Sequence, residues 1–307
     1  MMNPCLELAE FPQGVSEPAL IALASPSWRG IDGEVTRVTS LDNTQSRIVK
    51  LMHSDADIYI HLQQMYEATQ QASDLVVGAH VVRIDPSQRA LVLEDLSEKN
   101  GWRACTLDMT DDRDFQQTHI NLRKRFHASA RLTIDRDPFA EVQDLYQDAI
   151  ACQAPLPADT PWLLHNLDLI GSAVKASGID RVAAHGDGNI SNVMLHTSGT
   201  QKLLDWDSAG NWDPYAELGM VLAEFHLGEL EKQAMFEMYE GRFNDALFQR
   251  SHLYGVVDHI RWALIGSIHS KRSKRSFMEF TKFSDWHFFL GRMAIGESDF
   301  AERLRRV

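Results

Sequence analysis

Residues 185–217 read HGDGNISNVMLHTSGTQKLLDWDSAGNWDPYAE, and this stretch decides the fold. A small apolar run, Val182-Ala183-Ala184, leads into it, and the chain then turns through His185-Gly186-Asp187-Gly188-Asn189. Val193-Met194-Leu195 forms a short apolar strand. A turn rich in Ser, Gly and Thr follows, and a second strand, Leu203-Leu204, ends at Asp205. Strand, turn and strand with polar groups crowded at the connections is a frame on which chemistry is commonly held.

Asp187 is followed five residues later by Asn192 and eighteen residues later by Asp205. Phosphoryl transfer needs such a set. One carboxylate orients the attacking hydroxyl and accepts its proton, while an amide oxygen and a second carboxylate hold the magnesium that neutralises the phosphates. A calcium loop starting at Asp187 is excluded by pattern, because that motif wants Gly at its sixth position and Glu at its twelfth. Asn192 and Ser198 stand there. A loop starting at Asp205 fails similarly, with Ala216 at the twelfth place.

The D-x-x-x-x-N spacing is that of the kinase catalytic loop, with His185-Gly186-Asp187 where protein kinases carry HRD. Together with Asp205-Trp206-Asp207 it resembles the aminoglycoside phosphotransferase and choline kinase superfamily. The continuation LLDWDSAGNWDPYAELGMVLAEF is most similar to the bacterial choline kinase-like branch. The likeness is dense from His185 to Phe225 and thinner elsewhere, though its order holds along the chain. It implies ATP as donor, Mg2+ as cofactor, Asp187 as catalytic base, and Asn192 and Asp205 as metal ligands. Two departures stand out. Glu217 replaces the family's Asp, which braces the catalytic loop, and Asp207 replaces a Glu.

At 307 residues the chain is long enough for a large core. Its composition, 44% hydrophobic and 24% charged, is that of a globular protein and not of a disordered one. A net charge of −13 argues against a general nucleic-acid binder and suits a cationic substrate. Cys5, Cys105 and Cys152 form neither a metal spacing nor a disulfide framework. The N-terminal residues lack a signal peptide's basic and apolar regions, and no stretch approaches a membrane span. A cytoplasmic location, away from membranes, is the expectation.

Residues 1–24 read as a helical lead-in anchored by Leu6, Leu20, Ile21 and Leu23. Trp28 to Gly33 makes a glycine-bearing turn. Val35 to Leu41 and Ser46 to Met52 then form a hairpin around Asp42-Asn43. In a kinase N-lobe the first hairpin covers the phosphates, and a Lys on the third strand reaches them, which is the place of Lys50. Asp55 to Ala72 reads as a helix whose Glu67 is the candidate partner for Lys50. Strands over Val76–Ile84 and Ala90–Leu93 precede Glu94-Asp95-Leu96, which resembles the hinge that binds adenine. That makes four strands, and the family's fifth would lie before Trp28. Beyond Ser97 the pattern is helical apart from the central strand pair, with helices over Phe115–Ala130, Phe139–Cys152 and Pro161–Ser177. His127 is read as a packing residue. Pro214 starts a helix carrying Glu217 and Glu224, and a long helix, Leu253–Ile268, places Asp258 and Trp262 one turn apart. Lys271 to Arg275 is read as a solvated loop, followed by an aromatic helix from Phe277 to Leu290.

These readings predict an α+β, two-lobed protein-kinase-like fold. An antiparallel-sheet N-lobe would span residues 1–96 and a mostly helical C-lobe 97–307, with ATP and magnesium between them. Strands first and helices after is that order. Lys50, Glu67, Glu94 and Leu96 are the nucleotide-binding candidates. Asp207, Glu224, Asp258 and Trp262 are the acceptor-binding candidates, by likeness to the acidic and aromatic groups that enclose a quaternary ammonium. The expected acceptor is a choline- or ethanolamine-type amino alcohol. An aminoglycoside or other antibiotic or sugar acceptor stays open, as does a catalytically inactive nucleotide-binding module.

Overall fold

The structure is a computed structural model and describes residues 3–19, 31–225, 227–275 and 278–307. The expected anchors Leu20, Ile21 and Leu23, the turn residues Trp28 to Gly30, and Phe277 lie outside the described residues. The chain begins with α1 (Pro4–Leu8), β1 (Val15–Pro18), β2 (Gly33–Thr39), β3 (Ser46–Met52), α2 (Leu62–Asp74), β4 (Val81–Asp85) and β5 (Ala90–Glu94). It continues through β6 (Trp102–Ala104), α3 (Arg113–His127), α4 (Pro138–Ala151), α5 (Thr160–Ala176), β7 (Val182–Ala184), β8 (Val193–His196), β9 (Gln201–Leu203) and β10 (Gly210–Trp212). It ends with α6 (Pro214–Glu224), α7 (Glu229–Glu240), α8 (Asp245–Arg272), α9 (Phe280–Ile295) and α10 (Phe300–Arg305). The chain gathers into two compact units, 1–126 with 190–209, and 127–189 with 210–307. The fold is α+β, with an antiparallel sheet toward the N-terminus and a mostly helical remainder. Among the described residues no helix is long and apolar enough to cross a membrane.

In the first unit, five antiparallel strands lie in the order β1-β2-β3-β5-β4. β1, ahead of Trp28, is the fifth strand. Side chains alternate between the faces of a strand. Val49 therefore turns toward α1, where Cys5, Leu8 and Ala9 pack with Val38, Ala90 and Val92, and Lys50 turns to the opposite face. A second sheet, β6-β8-β9, carries the central hairpin, with Val193 opposite Leu203.

Three sequence expectations in this unit shift. The helix expected over 55–72 is a short 3-10 turn, Ser54–Ile58, followed by α2. The strand expected from Val76 starts at Val81. The β-branched pair Val76-Val77 instead closes α2: the amides of Val77 and Gly78 both return to the Ala72 carbonyl, and Val76 takes φ 57°. The short strand β6 falls in the region read as helical, and pairs with β8.

In the second unit the 28-residue α8 is the spine, with α4, α6 and α9 packed around it. Helix starts are capped by acids before proline: Asp137 accepts the amides of Phe139 and Ala140, and Asp213 accepts that of Tyr215 at 3.0 Å. α6 and α8 touch where Gly219 lies, since a Cβ there would sit 2.0 Å from the Ser251 carbonyl oxygen. β10 pairs with β7, seating Trp212 in the core with no exposure. α7 and α10 were not foreseen. Lys271 and Arg272 complete the last turn of α8 and do not start a loop.

Candidate active site

In the first unit the chemistry gathers around Lys50. It lies mid-strand, paired with Val35 on β2 and Leu91 on β5, and is buried. Its ammonium donates to Asp205 and, at 2.6 Å, to Oδ2 of Asp207. Burial works against its charge, but Asp205, Asp207 and Asp32 outweigh that and raise its pKa above the ordinary lysine value. Glu67, expected as its partner, is half-buried on α2, and the carboxylates that Lys50 touches are the two aspartates.

The hairpin β8–β9 places the two expected metal ligands. Leu204, next to Asp205, donates its amide to the carbonyl of Asn192 at 2.8 Å, so the two residues leave the hairpin side by side. Asp205 takes a left-handed backbone, φ 67° and ψ 68°, a conformation that costs a non-glycine residue about 1–3 kcal/mol and tends to persist where function needs it. Trp206 anchors the turn: it is buried, with its ring 4.4 Å from that of Phe126. Asp207 is buried beside Lys50. Ala79, Leu91, Leu93, Leu203 and Leu204 line a small apolar cavity whose polar end is Lys50, Asp205 and Asp207.

At the end of β5, the Glu94 side chain accepts the Lys202 ammonium and, at 2.7 Å, the His80 amide. Leu96 is buried. Asp95 between them holds Arg37 at 2.9 Å and Ser46 at 2.8 Å. The expected hinge is thus tied down by side chains on both sides.

The second unit holds the other set. Gly188 packs so tightly on α6 that a Cβ would sit 2.3 Å from the Met220 carbonyl oxygen, which brings the turn at Asp187 against that helix. Asp187 accepts the Asn189 amide at 2.8 Å. Glu217, despite its extra methylene, accepts the amides of His185 and Gly186 on one oxygen, at 2.6 and 3.0 Å. Its other oxygen meets Nε2 of His127, whose Nδ1 lies 3.0 Å from the Tyr239 hydroxyl. His127 is therefore part of this brace, beyond the packing role expected of it.

Glu224 ends α6 and Asp258 sits on α8. Burial, then Asp187 and Asp258, push the Glu224 carboxyl up to about 8. Burial, then Asp187 and Glu141 against the opposing pull of Arg261, push Asp258 up to about 7. Trp262 meets Phe283 edge-on at 6.1 Å, and the Arg261 guanidinium lies 5.1 Å from its ring. On α9, Phe288 is buried, while Trp286 is 38% exposed.

Sequence reasoning did not single out Asp32, whose carboxylate receives the Tyr59 hydroxyl beside the Lys50 cluster. Its flanking glycines marked a turn but not its charge. Nor did it find the buried pair of Asp213 with Arg250, joined by Tyr254 at 2.8 Å, or Glu141 held between Arg136 and Arg261.

Solved structures resemble this one along its whole length. A choline/ethanolamine kinase family protein from Mesorhizobium loti superposes with a TM-score of 0.79 at 18% identity, covering 98% of this chain and 94% of that one. The choline kinase LicA from Streptococcus pneumoniae gives 0.72 at 15% identity, over 90% and 94%. Spectinomycin phosphotransferase gives 0.59 at 10% identity, over 98% of both. At such identities the likeness speaks for the fold alone. No protein of curated function matches the sequence. The family model described as "Phosphotransferase enzyme family" matches residues 28–253, a span that holds Lys50, Asp187, Asn192, Asp205 and Glu217, and the chain belongs to that family.

Proposed function

We propose that the protein transfers the γ-phosphate of ATP to a hydroxyl of a small, cationic amino alcohol of the choline or ethanolamine type. The observation that carries the phosphotransferase reading is Lys50, buried and held by Asp205 and Asp207 at the polar end of an apolar cavity. Apolar side chains beside a buried ammonium are the chemistry that a nucleobase and its phosphates call for. Asn192 and Asp205, adjacent on the hairpin and both offering oxygen, fit a magnesium ion, which prefers such ligands. When bound, magnesium supplies positive charge where the phosphates are most negative.

Asp187 is assigned to the acceptor hydroxyl, which it orients and from which it takes the proton as transfer proceeds. A cationic acceptor is favoured by the three carboxylates of Asp187, Glu224 and Asp258, whose mutual repulsion an ammonium group would relieve.

The test is a coupled ADP assay over a panel of choline, ethanolamine, related amino alcohols and aminoglycosides, with and without Mg2+. Acceptor-dependent, EDTA-sensitive ADP release with an amino alcohol supports the proposal. Turnover of an aminoglycoside alone moves the acceptor assignment to the antibiotic branch. ATP binding in calorimetry without transfer to any acceptor would leave an inactive nucleotide-binding module.

A further inference from the structure

The helix α9 is apolar on both sides. Its inner face lies on α8: a Cβ on Gly291 would sit 2.5 Å from the Ile260 side chain, and the Ser284 hydroxyl donates to the Ala263 carbonyl at 2.8 Å. Phe283, Phe288 and Ile295 are buried with them. A surface helix is ordinarily polar on the side turned away from the core. Here Trp286, Phe289 and Met293 stand there, 38%, 46% and 58% exposed, with the two rings 5.8 Å apart. Single exposed apolar residues are ordinary, but a contiguous line of large ones marks a contact surface.

The charges on this outer face say what covers it. Lys282, Trp286, Phe289 and Met293 follow one another at the four- and three-residue steps of a helix seam. Gly296 keeps helical dihedrals, φ −77° and ψ −4°, so Glu297 extends the same line past the end of α9. One end of the stripe is thus a base and the other an acid, both exposed. His252 lies 3.7 Å from Glu297, but burial drives its pKa down to about 3, so it does not neutralise that carboxylate. Laid antiparallel on itself across a twofold axis between Phe289 and Leu290, the stripe complements its own pattern. That one register sets Trp286 against Met293 of a second copy and Lys282 against Glu297 of that copy, and symmetry repeats both pairs. Sulfur beside an aromatic ring is a favourable contact, and opposite charges at the rim fix register. A parallel arrangement would instead set lysine on lysine and glutamate on glutamate. Arg292, at the edge of the stripe, is held by Asp159 at 2.8 Å, which brings the first turn of α5 and its exposed Trp162 to the same edge.

We propose that the outer face of α9 joins two copies of this chain in an antiparallel, twofold-symmetric dimer. Trp286 and Met293 form its apolar centre, and Lys282 and Glu297 close it at both ends. Such an interface is isologous, so one patch serves both subunits.

The experiment is sedimentation-velocity ultracentrifugation of the full chain over a concentration series. The wild type is expected to pass from monomer to dimer as concentration rises. Lys282→Glu sets like charges at both ends and should weaken association about tenfold or more, as should Glu297→Lys. The two exchanges combined restore opposite charges and are expected to return the wild-type constant. Trp286→Ala is expected to weaken association as strongly, and it decides the matter should circular dichroism show a charge variant unfolded. A wild type that stays monomeric throughout overturns the proposal, and its flotation with phosphatidylcholine vesicles would give the stripe to a membrane instead. A dimer that Trp286→Ala leaves intact is built on another face and also overturns it. So does a folded doubly exchanged protein that associates no more tightly than either single variant.

Discussion

Glu217 accepts the backbone amides of His185 and Gly186 on a single carboxylate oxygen and gives its other oxygen to His127. The two amides precede Asp187 directly, so the carboxylate fixes the backbone that aims this side chain. Hydrogen bonds to a charged group contribute about 1.5–3 kcal/mol each.

Glu217→Gln keeps the size but removes the charge and turns one oxygen into a donor. It should destabilise the protein by about 2–4 kcal/mol and lower kcat with little change in ATP affinity. Glu217→Asp keeps the charge but pulls it back by one methylene, and should lie between the two. Urea denaturation and steady-state kinetics on the three proteins check the order. A Glu217→Gln variant as stable and as active as wild type would show that the brace is dispensable.

Lys50→Met tests the cluster from its cation. Burial and Asp205 already push the Asp207 carboxyl above the ordinary carboxylate value of 3.8 against the opposing pull of Lys50, and removing the ammonium leaves that push unopposed. The folded variant then binds more protons than the unfolded chain, so its stability must fall as pH rises. Its Tm deficit relative to wild type should be smallest near pH 4 and grow toward pH 8, with ATP binding weakened throughout. A pH-independent deficit would mean that lost packing, and not charge, explains the variant.

Glu224 gives a second pH dependence of the same sign. Its folded pKa of about 8 stands above an unfolded value near 4.5. The folded state therefore holds the extra proton across that window, and the stability this provides is full below pH 4.5 and is lost as pH rises to 8. Glu224→Gln removes the dependence. It should match wild type near pH 4 and exceed it by on the order of 1 kcal/mol or more at pH 8.5, read as a gain in Tm. If the variant is less stable at pH 8.5, the Glu224 carboxylate has a stabilising partner there.

Sequence pattern carried the fold far, for physical reasons that differ by element. The hairpin at Lys50 and the β8–β9 hairpin were legible because turn residues separate short apolar runs, and the helices because their stripes are regular. Val76-Val77 misled because β-branched residues favour strands, while here the backbone closes a helix. The short strands β6 and β10 are three residues each, too brief for alternation to show. Asp187, Asn192 and Asp205 could be singled out as candidates because they sit within one continuous stretch. Asp32, and the bond between His127 and Glu217, depend on contacts between distant segments, which no local pattern records.

The central claim is that Asp187 acts on an acceptor hydroxyl while the Lys50 and Asp205 cluster serves the nucleotide. The most direct test is single-turnover transfer of radiolabelled γ-phosphate from ATP to the acceptor identified by the panel, comparing wild type with Asp187→Asn, alongside the ATP dissociation constant of each. A carboxylate that shares the hydroxyl proton and orients its oxygen contributes on the order of a hundred- to ten-thousand-fold in rate. The variant should therefore lose transfer by that order and bind ATP within about twofold of wild type, since within about 0.4 kcal/mol no nucleotide contact has been lost. Transfer at the wild-type rate by a folded Asp187→Asn protein would contradict the account and assign the proton to another carboxylate, with Asp207 the first to examine.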